Sequence, residues 1–430
     1  MKQALMAKEV RHKMSGSNAL KFLRKYMMII ATVVVVFVFY FITGGKNLYP
    51  NSIDALISQN AYVFILGTGM LLCILTGGNI DLSVGSVVCL AGGVGAIMMR
   101  MMKAIPGLAW PVAVIAMLAM GLLVGLWHGY WIAYVKVPPF IATLVGMLAF
   151  RGLANIIMKG EAVEVDNRAF LNIFGGGSDC YVPDFLKFLS PNSSLNVTCF
   201  VAGIAIAAGY AVFTFVNRSR LIKKGYKVDS FPVVIIKTIL ISAVVVWFSY
   251  KLAGYRGIPT ALIWIALVLG IFAYITTKTT LGRNLYAVGG NEKATRLSGI
   301  DTRKVMFSAY TLMGVLSGFA SIVNIARLQG STPTYGVGYE MDAIAACFIG
   351  GASAYGGTGS IGGVIIGAAL MGIINQGMSL ASTPVNYQKV VKGIVLIVAV
   401  LFDVIMQMKR KGGKKKATSS SAAQKGGANA

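Results

Sequence analysis

Residues 61–102 read AYVFILGTGMLLCILTGGNIDLSVGSVVCLAGGVGAIMMRMM. Two apolar runs, Ala61–Gly77 and Ser83–Met102, are parted by a short stretch of small and polar residues, Gly77-Gly-Asn-Ile-Asp81-Leu-Ser83. A helix needs about 20 apolar residues to cross a bilayer. Hydrocarbon offers no partner for backbone donors and acceptors, so a crossing segment is helical by default. The same reading, carried outward, predicts twelve spans. They are Met27–Thr43, Ala61–Gly77, Ser83–Met102, Leu108–Val135, Pro139–Ile157, Cys199–Val216, Phe231–Leu252, Ile258–Thr277, Val305–Arg327, Met341–Ser353, Gly359–Met378 and Lys389–Met408. Met341–Ser353 is the weakest, too short to cross without its Gly-rich continuation.

Composition supports an all-α integral membrane bundle. Of 430 residues, 56% are apolar and 12% charged, with a mean hydropathy of +0.73. A soluble domain is nearer a quarter charged. The net charge of +25 suggests nucleic acid at first sight,. Its basic residues, however, cluster between long apolar runs, which excludes that partner. Five cysteines exclude a disulfide-stapled secreted fold,. Met27–Thr43 has a basic flank but no small-residue cleavage site, and reads as a retained span rather than a signal peptide.

The basic clusters set the orientation. Residues 1–26, Arg218–Lys227, Lys278–Lys304 and the tail after Met408 hold 25 of the 39 Lys and Arg. Twelve spans place all four clusters, and both termini, in the cytoplasm. The same clusters suit membrane-lipid headgroups. Three regions follow: a basic N-terminus (1–26), a transmembrane domain (27–408) and a basic, disordered tail (409–430). Within the second lie an external loop (160–198) and a cytoplasmic segment (280–304). The external loop carries five acids and Gly175-Gly176-Gly177, and reads as a solvated cap or a docking surface for an external partner. Cys180 and Cys199 flank its second half, as two thiols or a disulfide.

Catalytic chemistry has no foothold. There is no G-x-x-x-x-G-K-[ST] loop, no metal-spaced His/Cys cluster and no nucleophile elbow,. Gly357-Thr-Gly359-Ser-Ile-Gly362 matches G-x-G-x-x-G but lies between spans with no acid about 20 residues on, so it is not a dinucleotide site. Gly359, Gly363 and Gly367, like Gly121 and Gly125, are four apart, a spacing that lets helix backbones touch. The break at Asn79, Asp81, Ser83 and Ser86 has two readings. Asp81 caps the helix that follows, or the break lines a translocation path as a discontinuous span. A second break runs from Gly350 to Ser360. Arg151 lies inside a span, far from an end, which favours a buried partner over snorkelling. Asn324, Asn375 and Gln376 read as interhelix glue or path contacts.

Segment Thr280–Lys304 lacks a spanning run. Asn291 is an N-cap, Glu292–Ser298 suit a short helix, and Gly299 ends it. A short capped helix between two spans is either a lever that a partner protein grips or an ordinary cytoplasmic loop.

Several stretches resemble one family. They are Ile80-Asp-Leu-Ser-Val-Gly-Ser86, Phe140-Ile-Ala-Thr-Leu144, Leu281–Ile300, Gly338-Tyr-Glu-Met-Asp-Ala-Ile-Ala-Ala346, Gly350–Gly367 and Tyr387-Gln-Lys-Val-Val-Lys392. In this order they resemble the permease subunits of bacterial monosaccharide importers driven by ATP hydrolysis, of ribose, xylose and galactose type. The stretch Thr198–Arg256 looks like an addition found in the xylose or multiple-monosaccharide branch. The resemblance implies an architecture like that of the vitamin B12 importers, two permease copies, and an external sugar-binding protein. It also implies an ATPase subunit that holds ATP and Mg, with no cofactor on this chain. Gly290, Asn291, Glu292, Lys293, Ala294, Arg296, Leu297 and Gly299 would grip that ATPase. The rival reading is an ion-coupled secondary carrier, for which Asp81 would be the leading intramembrane acid.

Overall fold

The computed structural model describes residues 28–401 and 404, except 178, 227 and 229. The basic N-terminus (1–26), the end of the last predicted span and the tail (409–430) lie outside the described residues. The described residues form fifteen helices, one π-helical turn, two 3-10 turns and a two-stranded ribbon.

The helices are α1 (Met28–Ile42), α2 (Pro50–Leu75), α3 (Val84–Met101), α4 (Pro106–Gly129, extended by a π turn to Tyr134) and α5 (Pro139–Met158). They continue with α6 (Arg168–Phe174), α7 (Val197–Lys223), α8 (Phe231–Ala253), α9 (Thr260–Lys278), α10 (Thr280–Gly290) and α11 (Glu292–Leu297). The remainder are α12 (Thr302–Leu328), α13 (Tyr339–Ile349), α14 (Ile361–Leu380) and α15 (residues 385–401). Proline opens α2, α4, α5 and α8, where its missing N–H costs nothing,. Nine of these helices are long and apolar enough to cross a membrane. Met28–Ile42 is a tenth apolar segment of 15 residues, about 22 Å long at 1.5 Å per residue,.

One predicted span is corrected. Met341–Ser353 is not a span: α13 has 11 residues, about 16 Å, half of a hydrocarbon core near 30 Å. Gly350 and Gly351 stop it, and residues 352–360 are irregular. The second span is also longer than its apolar run, beginning at Pro50 rather than Ala61. Polar Asn51, Ser52, Asp54 and Asn60 hid its first turns.

Layering follows polarity. In α2 89% of the spanning window is buried, in α8 only 6%. The buried helix is the less apolar of the two. Lipid supplies no hydrophobic drive between helices, so the centre is assembled by close packing and polar contacts. Helix α2 is enclosed by α9, α12, α13 and α14, while α7 and α8 pack chiefly on each other. Glycine does what its spacing suggested. A Cβ on Gly121 or Gly125 of α4 would collide with the α12 backbone at Gly314 and Thr311, and one on Gly367 of α14 with the Ala346 carbonyl of α13.

The 160–198 loop is pinned. Val163–Glu164 (β1) pairs antiparallel with Gly330–Ser331 (β2). Tyr181 donates to Asp54 Oδ2 (3.0 Å), Trp264 Nε1 to the Ile173 carbonyl (2.8 Å) and Gln329 Nε2 to the Gly176 carbonyl (2.8 Å). Gly176 lies against the last carbonyls of α12, with no room for a side chain. Asp184 accepts from the N–H groups of Val197 and Thr198 and from the Thr198 hydroxyl, at 2.8–3.0 Å. Desolvation alone would raise its carboxyl; these bonds outweigh it and hold the group below its ordinary value,. Cys180 and Cys199 are both free and buried; burial pushes the Cys180 thiol up.

Candidate functional site: two broken helices under a lever

The first break rises from the end of α2 to the start of α3. Asn79 Nδ2 donates to Thr76 Oγ1 at 3.0 Å. Asp81, 3% exposed, accepts through Oδ1 from the Ser83 N–H (2.8 Å) and the Ser83 hydroxyl (2.7 Å). The carboxylate thus holds the turn that launches α3, three residues ahead of its first residue, Val84. Ser83 is the N-cap residue but gives no capping bond. Ser86 is fully buried, and its hydroxyl finds no partner among the described residues.

The second break runs from Gly350 to Ser360, and Ser360 caps α14 through the Gly363 N–H (3.1 Å). The two breaks touch. A Cβ on Gly78 would collide with the Ala354 carbonyl, and one on Gly356 would sit on the Gly77 backbone. Higher up, the first turns of α3 and α13 meet where Gly85 abuts Gly336 and the Glu340 carboxylate. Arg151 finds the partner its depth requires. Its guanidinium donates to the carbonyls of Pro333 (3.2 Å) and Tyr335, fixing the loop that leads into α13. Two discontinuous helices with facing N-termini inside the membrane are the arrangement that transporters use.

Beside α13 lies a polar cluster that the sequence reading missed. Asp342, wholly buried, pairs with Lys392 Nζ at 2.8 Å. Its Oδ2 also accepts from the Tyr62 hydroxyl (2.5 Å) and Asn375 Nδ2 (3.3 Å). Asn375 donates further to Asn60 Oδ1 (3.1 Å). Tyr62 stacks on Tyr339 at 3.6 Å between centroids, and the Tyr339 hydroxyl donates to Asn324 Oδ1 at 2.8 Å. Asn324 and Asn375 are therefore brought together, whereas Asn79, Asp81, Ser83 and Ser86 belong to the first break. Gln376 stands apart, bonded to the Ser52 carbonyl at 2.6 Å. Asp342 is thus a second buried acid beside Asp81. The signal was present: Asp342 and Lys392 are opposite charges inside apolar runs, and such residues mark function or a pair.

The segment read from the sequence as a lever is an angled pair of helices, α10 and α11. Asn291 Oδ1 accepts from the Ala294 N–H at 3.0 Å. The buried Thr295 hydroxyl donates toward the Ala287 and Asn291 carbonyls, both at 2.8 Å, locking the two helices. Gly299 ends the turn at φ 84°, where a side chain would be strained,. Gly290, Asn291, Glu292, Lys293, Ala294, Arg296, Leu297 and Gly299 are exposed. Leu297 is 89% exposed, an apolar knob on a polar surface. The inner face of the lever rests on both breaks. Gly289 leaves no space for a Cβ against the Leu75 carbonyl and the Gly357 N–H, and the Tyr286 hydroxyl donates to the Gly359 carbonyl at 2.9 Å.

Residues 52–400 match the family model described as branched-chain amino acid transport system / permease component. The chain belongs to that family. This permease is 35% identical over 389 residues to the xylose transport system permease protein of Escherichia coli K12, covering 90% of this chain and 93% of that one. The Haemophilus influenzae xylose transport system permease protein is 37% identical over 387 residues, 89% of the permease and 96% of its relative. The ribose import permease protein of Escherichia coli K12 is 33% identical over 355 residues, 82% and 85% of the two chains. No solved structure matches the permease.

Proposed function

We propose that the chain is the membrane-spanning subunit of an importer that moves a monosaccharide of the xylose, ribose or galactose kind and is powered by a separate ATPase. The observation that carries this reading is the lever. One exposed, capped element rests backbone to backbone on both broken helices, so a partner that moves it moves the two breaks together. The ATPase, with its ATP and Mg, grips Gly290–Gly299, using Leu297 as the apolar anchor. The chain itself has no phosphate-cradling loop.

Displacing α10 shifts the contacts at Leu75 and Gly357, and through them the seam where Gly77–Gly78 meets Ala354–Gly356. That seam leads into α3 and holds the C-terminal end of α13. Their facing turns, with Asn79, Asp81, Ser83 and Ser86 on one side and Asn324 and Asn375 on the other, form the translocation path. The pinned loop at 160–198 is the docking face for an external sugar-binding protein, and a second permease copy completes the assembly. Each partner biases the two states only by its difference in affinity for them.

Gentle affinity purification of the tagged chain from its native membranes tests the partnership. An ATPase with a phosphate-binding loop co-purifies with the wild type, and Leu297→Asp releases it while membrane levels of the permease stay unchanged. Retention of the ATPase by Leu297→Asp, or purification of the wild type alone, would count against the lever as its grip.

A further inference from the structure

The loop that leads from β2 into the half-helix α13 forms one wall of a pocket of about 570 Å³. Thr332 and Thr334 line that wall, and Arg151 and Asn155 of α5 line the other. Arg151 and Asn155 are one turn apart on the same face of α5. Small surfaces, Gly152 and Pro333 among them, fill the rest of the lining, and no acid contributes to it. Met158 closes α5. Arg151 thus sits about 10 Å inside the end of the helix that leads into the 160–198 loop. An arginine and an asparagine at that depth are costly against lipid and mark a polar cavity or a path.

The wall is held before any ligand arrives. Arg151 donates to the carbonyls of Pro333 and Tyr335. From α3, the Cys89 thiol points to the carbonyls of Thr332 and Pro333 at 3.4 and 3.5 Å. A pre-formed wall spares a ligand the cost of ordering it. Polar capacity remains. Both Arg151 bonds leave from one Nη, which spares the other arm of the fork,. The Thr332 and Thr334 hydroxyls share one bond of 2.9 Å, which uses one O–H and leaves the other, with lone pairs on both oxygens,. Asn155 adds an amide that both donates and accepts. Such a lining suits hydroxyl groups, which donate and accept, better than an anion, which only accepts. The volume falls within the range of small-molecule sites, about 300–1,000 Å³.

We propose that this pocket is a subsite for a neutral monosaccharide, held through its hydroxyls by Arg151, Asn155, Thr332 and Thr334. The subsite rests on the transport reading and gives the path an outer station, tied to α3 through Cys89 and to α13 through the loop.

Thiol protection of the full-length permease in lipid nanodiscs, without ATP or any partner, tests it. Ala162 lines the pocket and is exposed, whereas all five native cysteines are buried. Ala162→Cys therefore supplies the one readily reactive thiol. At least one of xylose, ribose and galactose slows its reaction with a small maleimide. Asn155→Leu in that background raises the protecting concentration about tenfold, the worth of one or two hydrogen bonds. A Cβ on Gly152 meets nothing within 4 Å, so Gly152→Phe enters the pocket and removes the sugar dependence of labelling. Should one variant fail to fold, the other decides. Protection by none of the three sugars, or protection that the variants leave unchanged, would overturn the subsite. So would stronger protection by galacturonate than by galactose, which would make it an anion site. ATP-driven uptake by the assembled importer, followed in parallel, separates the two readings. Uptake of a sugar that gives no protection overturns the subsite alone. Protection without any uptake upholds the subsite and counts against the transport reading.

Discussion

Replacing Lys392 by Met destabilises the permease by about 3–5 kcal/mol, the cost of removing one partner of a buried ion pair. The reason lies in what remains. Asp342 is completely buried, and with the 2.8 Å ion pair gone only the Tyr62 hydroxyl and the Asn375 amide are left to face its charge. Its Oδ1 has no hydrogen-bond partner among the described residues to take up the load. The double variant Asp342→Asn, Lys392→Met removes the charge along with its partner. It therefore recovers much of the loss, about 2 kcal/mol or more, because neutral replacements of a buried pair are tolerated far better than half of one. The two single substitutions and the double variant, compared by unfolding in detergent, form the cycle. Additive effects would mean that the pair is not a unit. Because the pair joins α15 to the half-helix α13, the cycle also reports how firmly the last span is latched to the path.

Gly289→Ala cuts ATP-driven uptake by about a hundredfold, the size of effect that a displacement near 1 Å produces in a positioned reaction site. The added methyl has nowhere to go. It meets the Leu75 carbonyl and the Gly357 N–H, both backbone groups of elements that cannot yield by a rotamer change. Overpacking of this kind costs about 1–3 kcal/mol. The lever must lift away from the breaks that it rests on. Gly290→Ala, one residue on, adds its methyl to open space, and the unfolding midpoint stays at the wild-type value. Uptake and thermal unfolding measured on the same preparations separate the cases. Wild-type uptake in Gly289→Ala would show that the contact between lever and breaks carries no force.

Much of this arrangement was legible before any coordinates. Lipid is a severe solvent, and runs such as Phe231–Leu252 and Val305–Arg327 leave little alternative to a spanning helix. Asn291 and Gly299 carry local stereochemistry that needs no tertiary context, so the short helix between them was legible, whereas α10 before it was not. Arg151 announced a buried partner, and carbonyls supplied it. What stayed hidden depends on contacts between distant segments. Asp342 and Lys392 are 50 positions apart, and neither run reveals that its charge faces the other. Asp81 was weighed as a cap or a path residue; the structure shows it holding the turn ahead of α3. The half-length of α13 was hidden because Met341–Ser353 is apolar throughout, apart from the acid that turned out to matter. The close contact of the two breaks was foreshadowed only by their shared glycines.

The central claim is that ATP, through the lever, drives a sugar across this chain. Uptake of radiolabelled xylose, ribose and galactose by cells holding the permease with its co-purifying partners tests it most directly, with each energy source removed in turn. Uptake of at least one of these sugars that survives collapse of the proton and sodium gradients and stops when ATP is exhausted is the predicted result. Uptake that stops with the ion gradients and persists without ATP would contradict the account, and would turn attention to Asp342 and Lys392 as the groups that carry the coupling ion.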